Sequence, residues 1–299
     1  MTTYIFRRLL LMIPTFFILT LVVYWLCRQV PGGPIERQKD AMMMQAMQEG
    51  GKGASDEMEK MIKGELSPEE KAELMKFYGQ SDSVIMDYFA WVGRIMKGDF
   101  GTSDAYNEPV LKLIWNRMPI SLFYGLLTMT LIYGVCIPLG VVKALRNKGI
   151  LDNVSSILVF IGYSVPGYAL GAILVVFLAA RWDLFPIGSF VSDNFHELGV
   201  FGKLQDLFMH AVLPSICYLV GGFAFMTMLV KNTLLENLSF DYIRTALAKG
   251  VTYNKAVFRH ALDNSLIPLA THFGNNISII IGGSFLIEKI FDIEGMGLL

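Results

Sequence analysis

Apolar residues gather into five long runs along this chain, 9–27, 120–142, 154–180, 211–230 and 266–287, separated by polar stretches. Crossing the roughly 30 Å hydrocarbon layer takes about 20 residues of helix, and each run has at least 19. None of them alternates apolar and polar residues as a strand would. Lipid offers backbone N–H and C=O groups no partners, so the pattern predicts an all-α, polytopic transmembrane helical bundle. His272 is the one Asp, Glu, Lys, Arg or His within the runs. Composition agrees, with 54% hydrophobic residues, 17% charged and a mean hydropathy of +0.48.

Lys and Arg in short loops orient such a bundle. A cytoplasmic N-terminus puts Arg7, Arg8, Lys143, Arg146, Lys148, Lys231, Arg244, Lys249, Lys255 and Arg259 inside, and only Arg181, Lys203 and Lys289 in the short outer segments. The first run follows two arginines but ends in Trp25-Leu-Cys-Arg28 without a small-residue cleavage pattern, so it reads as a retained helix rather than a secretory signal. Cys27, Cys136 and Cys217 lack CxxC spacing and read as packed thiols. A net charge of −1 gives no reason to expect nucleic acid.

Residues 31–117 form the one long extramembrane insertion, between the N-terminal helix of residues 1–30 and a core of residues 118–299. Pro31-Gly-Gly-Pro34 ends the first helix, and the stretch up to Gly64 lacks a hydrophobic period that would build a core. Ser67-Pro-Glu-Glu70 predicts a helix start running to about Tyr78. A second helix is expected near Val84–Met96, with Tyr88, Phe89, Trp91 and Val92 as its apolar content. Gly98 and Gly101 then permit a tight turn, and Pro119 suits a helix start. Each run holds one proline, Pro14, Pro138, Pro166, Pro214 or Pro268, so kinked helices are expected.

The polar segment 231–264 carries the most specific pattern. Asp241-Tyr-Ile-Arg-Thr-Ala-Leu-Ala-Lys-Gly250 is helix-forming up to its glycine, and Phe258-Arg-His-Ala-Leu262 belongs to a second helical run. Two short helices joined by a turn make a docking element. The ordered residues Asp241, Tyr242, Arg244, Thr245, Ala246, Ala248, Lys249 and Gly250, then Arg259, His260, Ala261, Leu262 and Asn264, resemble the conserved cytoplasmic loop of bacterial ABC-importer permeases, in its peptide/nickel-branch form. Lys97-Gly-Asp-Phe-Gly-Thr-Ser103 followed by Arg117-Met-Pro119 is similar to the same branch. Asp183-Leu-Phe-Pro186 and Gly221-Gly-Phe-Ala224 look closest to its Yej-type oligopeptide permeases, which are also linked to microcin C uptake.

This resemblance implies the type I ABC-importer permease fold in a bacterial inner membrane, with 31–117 a periplasmic insertion. It implies a permease subunit of an ATP-driven oligopeptide importer, paired with a second homologous membrane subunit, two ABC ATPase domains and a periplasmic or lipid-anchored substrate-binding protein. ATP and Mg would be held by those ATPases, with no cofactor on this chain, and 241–262 would be the ATPase-coupling loop. The family continues past Gly-x-Gly-Leu-Leu into a further membrane helix, whereas this chain stops at Leu299 after five runs, so either it is truncated or it departs from the family, and a C-terminal helix returning to the cytoplasm is expected in a functional subunit. Arg244 stands where many permeases have Glu, as is usual in this branch, so it does not inherit the role of that acid.

A pathway needs polar groups at membrane depth, which face a bundle interior or a cavity. Tyr163 and Ser164 beside Pro166 are candidates, as are His272, Asn275, Asn276 and Ser278. His272, Asn275, Asn276 and Ile279 share one helical face by their spacing; interhelical hydrogen bonding is the other use for such residues. No catalytic or metal site is expected, since H-E-x-x-H, G-x-S-x-G and G-x-x-x-x-G-K-[ST] patterns are all absent. Another substrate of the branch, such as nickel chelates, fits the same membrane sequence. A secondary transporter fits poorly, because intramembrane charges for ion coupling are nearly lacking.

Overall fold

The structure, a computed structural model, describes residues 2–29, 83–103 and 105–299, which fall into two compact units, 1–111 and 112–299. The expected helix over 67–78 and the stretch 31–64 lie outside the described residues.

In the first unit, helix α1 (Thr2–Gln29) runs unbroken through Pro14. Its apolar side chains point outward along its whole length, as a helix meeting lipid requires. Helix α2 (Val84–Met96) forms where the sequence places it, its N-terminus capped by the Ser83 hydroxyl, which accepts from the Met86 N–H at 3.4 Å. Tyr88 fixes α2 on α1. Its ring is buried with Trp91 against Tyr24, and its hydroxyl donates to the Phe17 carbonyl at 3.1 Å and meets the Thr20 hydroxyl at 2.7 Å. Arg28 and Asp87 pair at 2.7 Å beside it. The chain then turns through Gly98 and Gly101, both at positive φ, into the two-residue antiparallel strands β1 (Thr102–Ser103) and β2 (Glu108–Pro109).

The second unit is helical. Helix α3 (Val110–Leu145) follows β2 directly, so Pro119 is not at a helix start but ten residues in. The first N–H, of Val110, goes to the Gly101 carbonyl at 3.0 Å, and this fixes the helix start at Val110. Helix α4 (Ile150–Ser164) and helix α5 (Gly167–Leu174), which continues as π-helical turns over Val175–Arg181, replace the single expected span 154–180. The two halves meet at 89°. Val165 is extended there, the conformation that a following proline favours. Helix α6 (Val200–Ser239) is 40 residues long and passes through Pro214 without a break. Helix α7 (Asp241–Ala248), helix α8 (Tyr253–Ala256, then π-helical over Val257–Ala261), helix α9 (Leu262–Gly282) and helix α10 (Phe285–Ile290) complete the chain.

Among the described residues, α1, α3 and α6 are long and apolar enough to cross a membrane, and α4–α5 makes a fourth crossing if the bent pair is one span. The fifth expected span, 266–287, differs from what forms. Helix α9 starts earlier and ends at Gly282 ahead of the positive-φ Gly283, and Asp263, Asn264, His272, Asn275 and Asn276 make it too polar to count as a span alone. Two apolar clusters hold the unit together. One joins Ile132 and Cys136 of α3 to Val230 and Leu234 of α6 and Leu269 of α9; the other joins Tyr124 of α3 to Leu213 and Cys217 of α6 and to Ile287, Phe291 and Ile293. Cys136 and Cys217 are buried thiols as expected, whereas Cys27 is exposed on α1.

After α9 the chain folds around one carboxylate. Glu288, 1% exposed, accepts from the Ser284 N–H at 3.2 Å, the Leu298 N–H at 2.8 Å and the Tyr218 hydroxyl at 3.4 Å. Burial pushes its carboxyl up from the ordinary range, opposed by the N–H groups that surround it. Side chains at Gly283 or Gly295 would run into this carboxylate. Replacing Glu288 by Gln turns a donor toward one of these N–H groups, so about 1–3 kcal/mol of local stability is expected to be lost. Faster amide exchange over 283–298, with exchange in α6 unchanged, is the readout.

Candidate functional site

The loop after α6 is built as its residues dictate. Phe240 is extended and opens α7 at Asp241, whose carbonyl accepts from the Thr245 hydroxyl at 2.9 Å. The helix closes on Gly250, at φ +85°, with the Gly250 N–H on the Leu247 carbonyl at 2.9 Å and the Val251 N–H on the Ala246 carbonyl at 3.1 Å. That left-handed residue after the last helical turn is the usual helix stop, and it lets α8 begin three residues later. Inward, Ile243, Ala256 and Ala261 are buried in the cluster formed by α3, α6 and α9. Outward stand Asp241, Arg244, Thr245, Ala248, Lys249, Lys255 and Arg259, with Ala246 and His260 half-buried.

Arg244 and Asp241 meet at 3.4 Å, but both are so exposed that water screens the pair. Tyr242 reaches back to the Asn237 side chain at 2.8 Å, tying α7 to the end of α6. The loop residues named from sequence are therefore brought together on one protrusion. Sequence reasoning missed its apolar share: Leu247, Tyr253 and Phe258 lie exposed among the cations. The signal lay in Tyr253 and Phe258, aromatic residues set between Lys249, Lys255 and Arg259. Aromatic residues and arginines such as Tyr253, Phe258, Arg244 and Arg259 are the types enriched at protein interfaces, where lysines sit at the rim.

Above the loop lies a cavity of about 110 Å³ between α3, α6 and α9. Thr128, Tyr218, Phe225, His272 and Asn276 are its polar and aromatic lining. Phe225 packs edge-on to His272 with ring centroids 4.7 Å apart, and the Thr128 hydroxyl has no protein partner among the described residues. A cleft of about 600 Å³ shares Tyr218, Gly222, Phe225 and Asn276 with this cavity and adds Tyr163 and Tyr168 from the two sides of the α4–α5 elbow. Tyr163 thus lines the cleft, His272 the cavity, and Asn276 both. Ser164 does not join them, because its hydroxyl turns back onto the Phe160 carbonyl at 2.8 Å. The side chains of Asn275 and Ser278 lie outside the described residues. Tyr218, Phe225 and Thr128 were missed, since one aromatic or threonine in an apolar run looks like core.

A third arrangement was not foreseen. Lys143, expected among the solvent-facing cytoplasmic cations, is fully buried. Its ammonium donates to the hydroxyls of Ser155 and Ser156 and to the Asp152 carbonyl, each at 2.8 Å, and lies 3.0 Å from the Asp152 carboxylate. Lys231 of α6 spans both oxygens of that carboxylate at 2.7 and 2.9 Å, and the Lys148 N–H donates to it at 2.9 Å. Two ammonium groups and a backbone N–H saturate one carboxylate where α3, α4 and α6 meet. Among the described residues no group of three or more His, Cys, Asp and Glu side chains is placed to hold a metal ion.

Comparison with known proteins places this geometry in context. Residues 136–299 match the family described as binding-protein-dependent transport system inner membrane component. Along its whole length the chain is 34% identical to the inner membrane ABC transporter permease protein YejB of Escherichia coli O157:H7, covering 87% of that protein. It is 33% identical to the peptidoglycan transport system permease protein YejB of Agrobacterium fabrum and 32% identical to the oligopeptide transport system permease protein AppB of Bacillus subtilis. In both cases all of the chain and 86% of the relative are covered.

Proposed function

Since the chain belongs to the family of inner membrane components of binding-protein-dependent transport systems, and is a multi-pass membrane permease, we propose that it imports oligopeptides in an ATP-driven complex, with 241–262 as the coupling loop. The names of its relatives support peptides as the cargo. The observation that carries the mechanism is the two-sided loop: apolar residues rooted among α3, α6 and α9, cations and aromatics turned out. The same three helices line the cavity. A push on the loop therefore reaches the walls of the pathway through packed side chains, with little compliance between.

In this reading the N-terminus is cytoplasmic and residues 31–117 are periplasmic. A second permease subunit completes the pathway, two ATPase domains receive the loops, and a binding protein delivers peptide. ATP, with Mg, is hydrolysed on those ATPases. Their closure turns the helices outward to accept the peptide, and hydrolysis resets them. The cavity lining supports recognition by hydrogen bonds: Thr128, Tyr218, His272 and Asn276 offer donors and acceptors to a peptide main chain.

The test is ATP-dependent uptake of labelled oligopeptides by the reconstituted complex. Phe258, exposed between Lys255 and Arg259, is the expected anchor at the ATPase contact, so Phe258→Ala should weaken ATPase binding by about 2 kcal/mol, the scale of a buried aromatic hot spot. Uptake should fall with it while the permease pair remains assembled. Uptake that does not depend on ATP would reject the importer reading, and unchanged ATPase affinity in Phe258→Ala would reject this face as the contact.

A further inference from the structure

We propose that Asp152 is a positioning residue that clasps the cytoplasmic ends of α3, α4 and α6 into one rigid body, so that movement of the coupling loop is delivered to all three helices together. The inference rests on the coupling-loop reading above. Asp152 lies at the start of α4, Lys143 in the last turn of α3, and Lys231 in α6 two turns before its end. The carboxylate meets both ammonium groups at 2.7–3.0 Å, and its side chain is 3% exposed.

The arrangement does more than neutralise charge. Two cations on one carboxylate leave a net positive charge in a nearly closed site, and removing the carboxylate leaves two ammonium groups facing each other away from water. Hydrogen bonds to Ser155, Ser156 and the Asp152 carbonyl fix Lys143 in direction as well as distance. Such a cluster holds one geometry and resists sliding of one helix along another. Its place also fits the task. From Lys231, α6 runs on to Asn237, which bonds Tyr242 of α7, and Thr233 donates to the Ser265 carbonyl of α9 at 3.4 Å. The clasp is thus the point at which the loop-bearing helix is fastened to α4, whose far end carries Tyr163 at the elbow.

The decisive variant is the pair Asp152→Asn with Lys231→Met, which removes the link between α4 and α6 without leaving an unpaired carboxylate or a second buried cation. In the complete reconstituted transporter this pair should assemble and hydrolyse ATP at a rate near wild type, while peptide carried per ATP hydrolysed falls at least fivefold. Asp152→Asn alone should assemble poorly, and restoring assembly by the added Lys231→Met would show that the charges, not the side-chain volumes, are in balance. Uptake and hydrolysis falling together, in proportion to assembled complex, would mean a merely structural role and would overturn the proposal. An unchanged ratio would overturn it as well.

A second measurement needs no transport. Spin labels at Ile150 and Glu236, both exposed, report the spacing of α4 and α6 in a Cys27→Ser background. The wild-type distance should be the same with and without ATP, and should broaden in the double variant. A wild-type distance that shifts with ATP would overturn the clasp. Absence of ATP-driven uptake in wild type would instead reject the importer reading, leaving the label distances to decide the clasp by themselves.

Discussion

Gly250→Pro is expected to abolish ATP-driven uptake in an assembled complex. Gly250 sits at φ +85° and donates its N–H to the Leu247 carbonyl; proline is held near −65° and has no N–H. The turn between α7 and α8 then cannot form, and the outer face of Arg244, Lys249, Lys255 and Arg259 is scattered. The buried anchors Ile243 and Ala256 lie outside the turn, so the membrane fold should survive. Milder substitutions grade the effect. Gly250→Ala should cost about 1–2 kcal/mol from the left-handed conformation, and Gly250→Asn less, because asparagine tolerates that region. Uptake ordered Gly, Asn, Ala, Pro, with the ATPase subunits still present in all four, is the expected series. Equal uptake in all four would show that the turn does not transmit the stroke.

The second large effect is on assembly of the bundle itself. A side chain on Gly125 would bring its Cβ to 2.5 Å from the Ile280 Cα, a contact with backbone that no rotamer change relieves. Gly125→Leu should therefore force α3 and α9 apart, beside the cavity that both helices line, at a cost at or above the roughly 1–3 kcal/mol typical of overpacking. Gly134 is in the same helix with nothing within 4 Å, and Gly134→Leu should change stability by less than about 0.5 kcal/mol. Thermal unfolding of the detergent-solubilised protein separates the two. Equal melting of both variants would contradict the close packing of α3 on α9.

What the sequence disclosed depended on whether one local property decided the outcome. Three spans and the α7–Gly250–α8 turn follow from apolar length and helix stop signals, and both are legible residue by residue. Prolines were not legible in this way. Five runs hold one each, yet only Pro166 stands at a break, while Pro14, Pro138, Pro214 and Pro268 are carried inside continuous helices. Lys143 misled for a related reason. A lysine just beyond an apolar run ordinarily faces water, and nothing local reveals that Asp152, nine residues on, turns back to bury it. His272 and Asn276, polar residues of α9, line the cavity, while the aromatic part of that lining comes from packing alone.

The elbow at Val165 and Pro166 has a further consequence, for which side of the molecule can meet hydrocarbon. Where α4 stops and α5 starts at 89°, the first N–H groups of α5 and the last carbonyls of α4 lose the partners a continuous helix would give them. Among the described residues the Gly162 carbonyl is recovered by the Val165 N–H and the Pro166 carbonyl by the Leu170 N–H. Acyl chains can satisfy none of the rest. The elbow therefore favours a polar surround, because the open N–H and C=O groups on either side of Val165 and Pro166 are satisfied by water or protein and not by acyl chains.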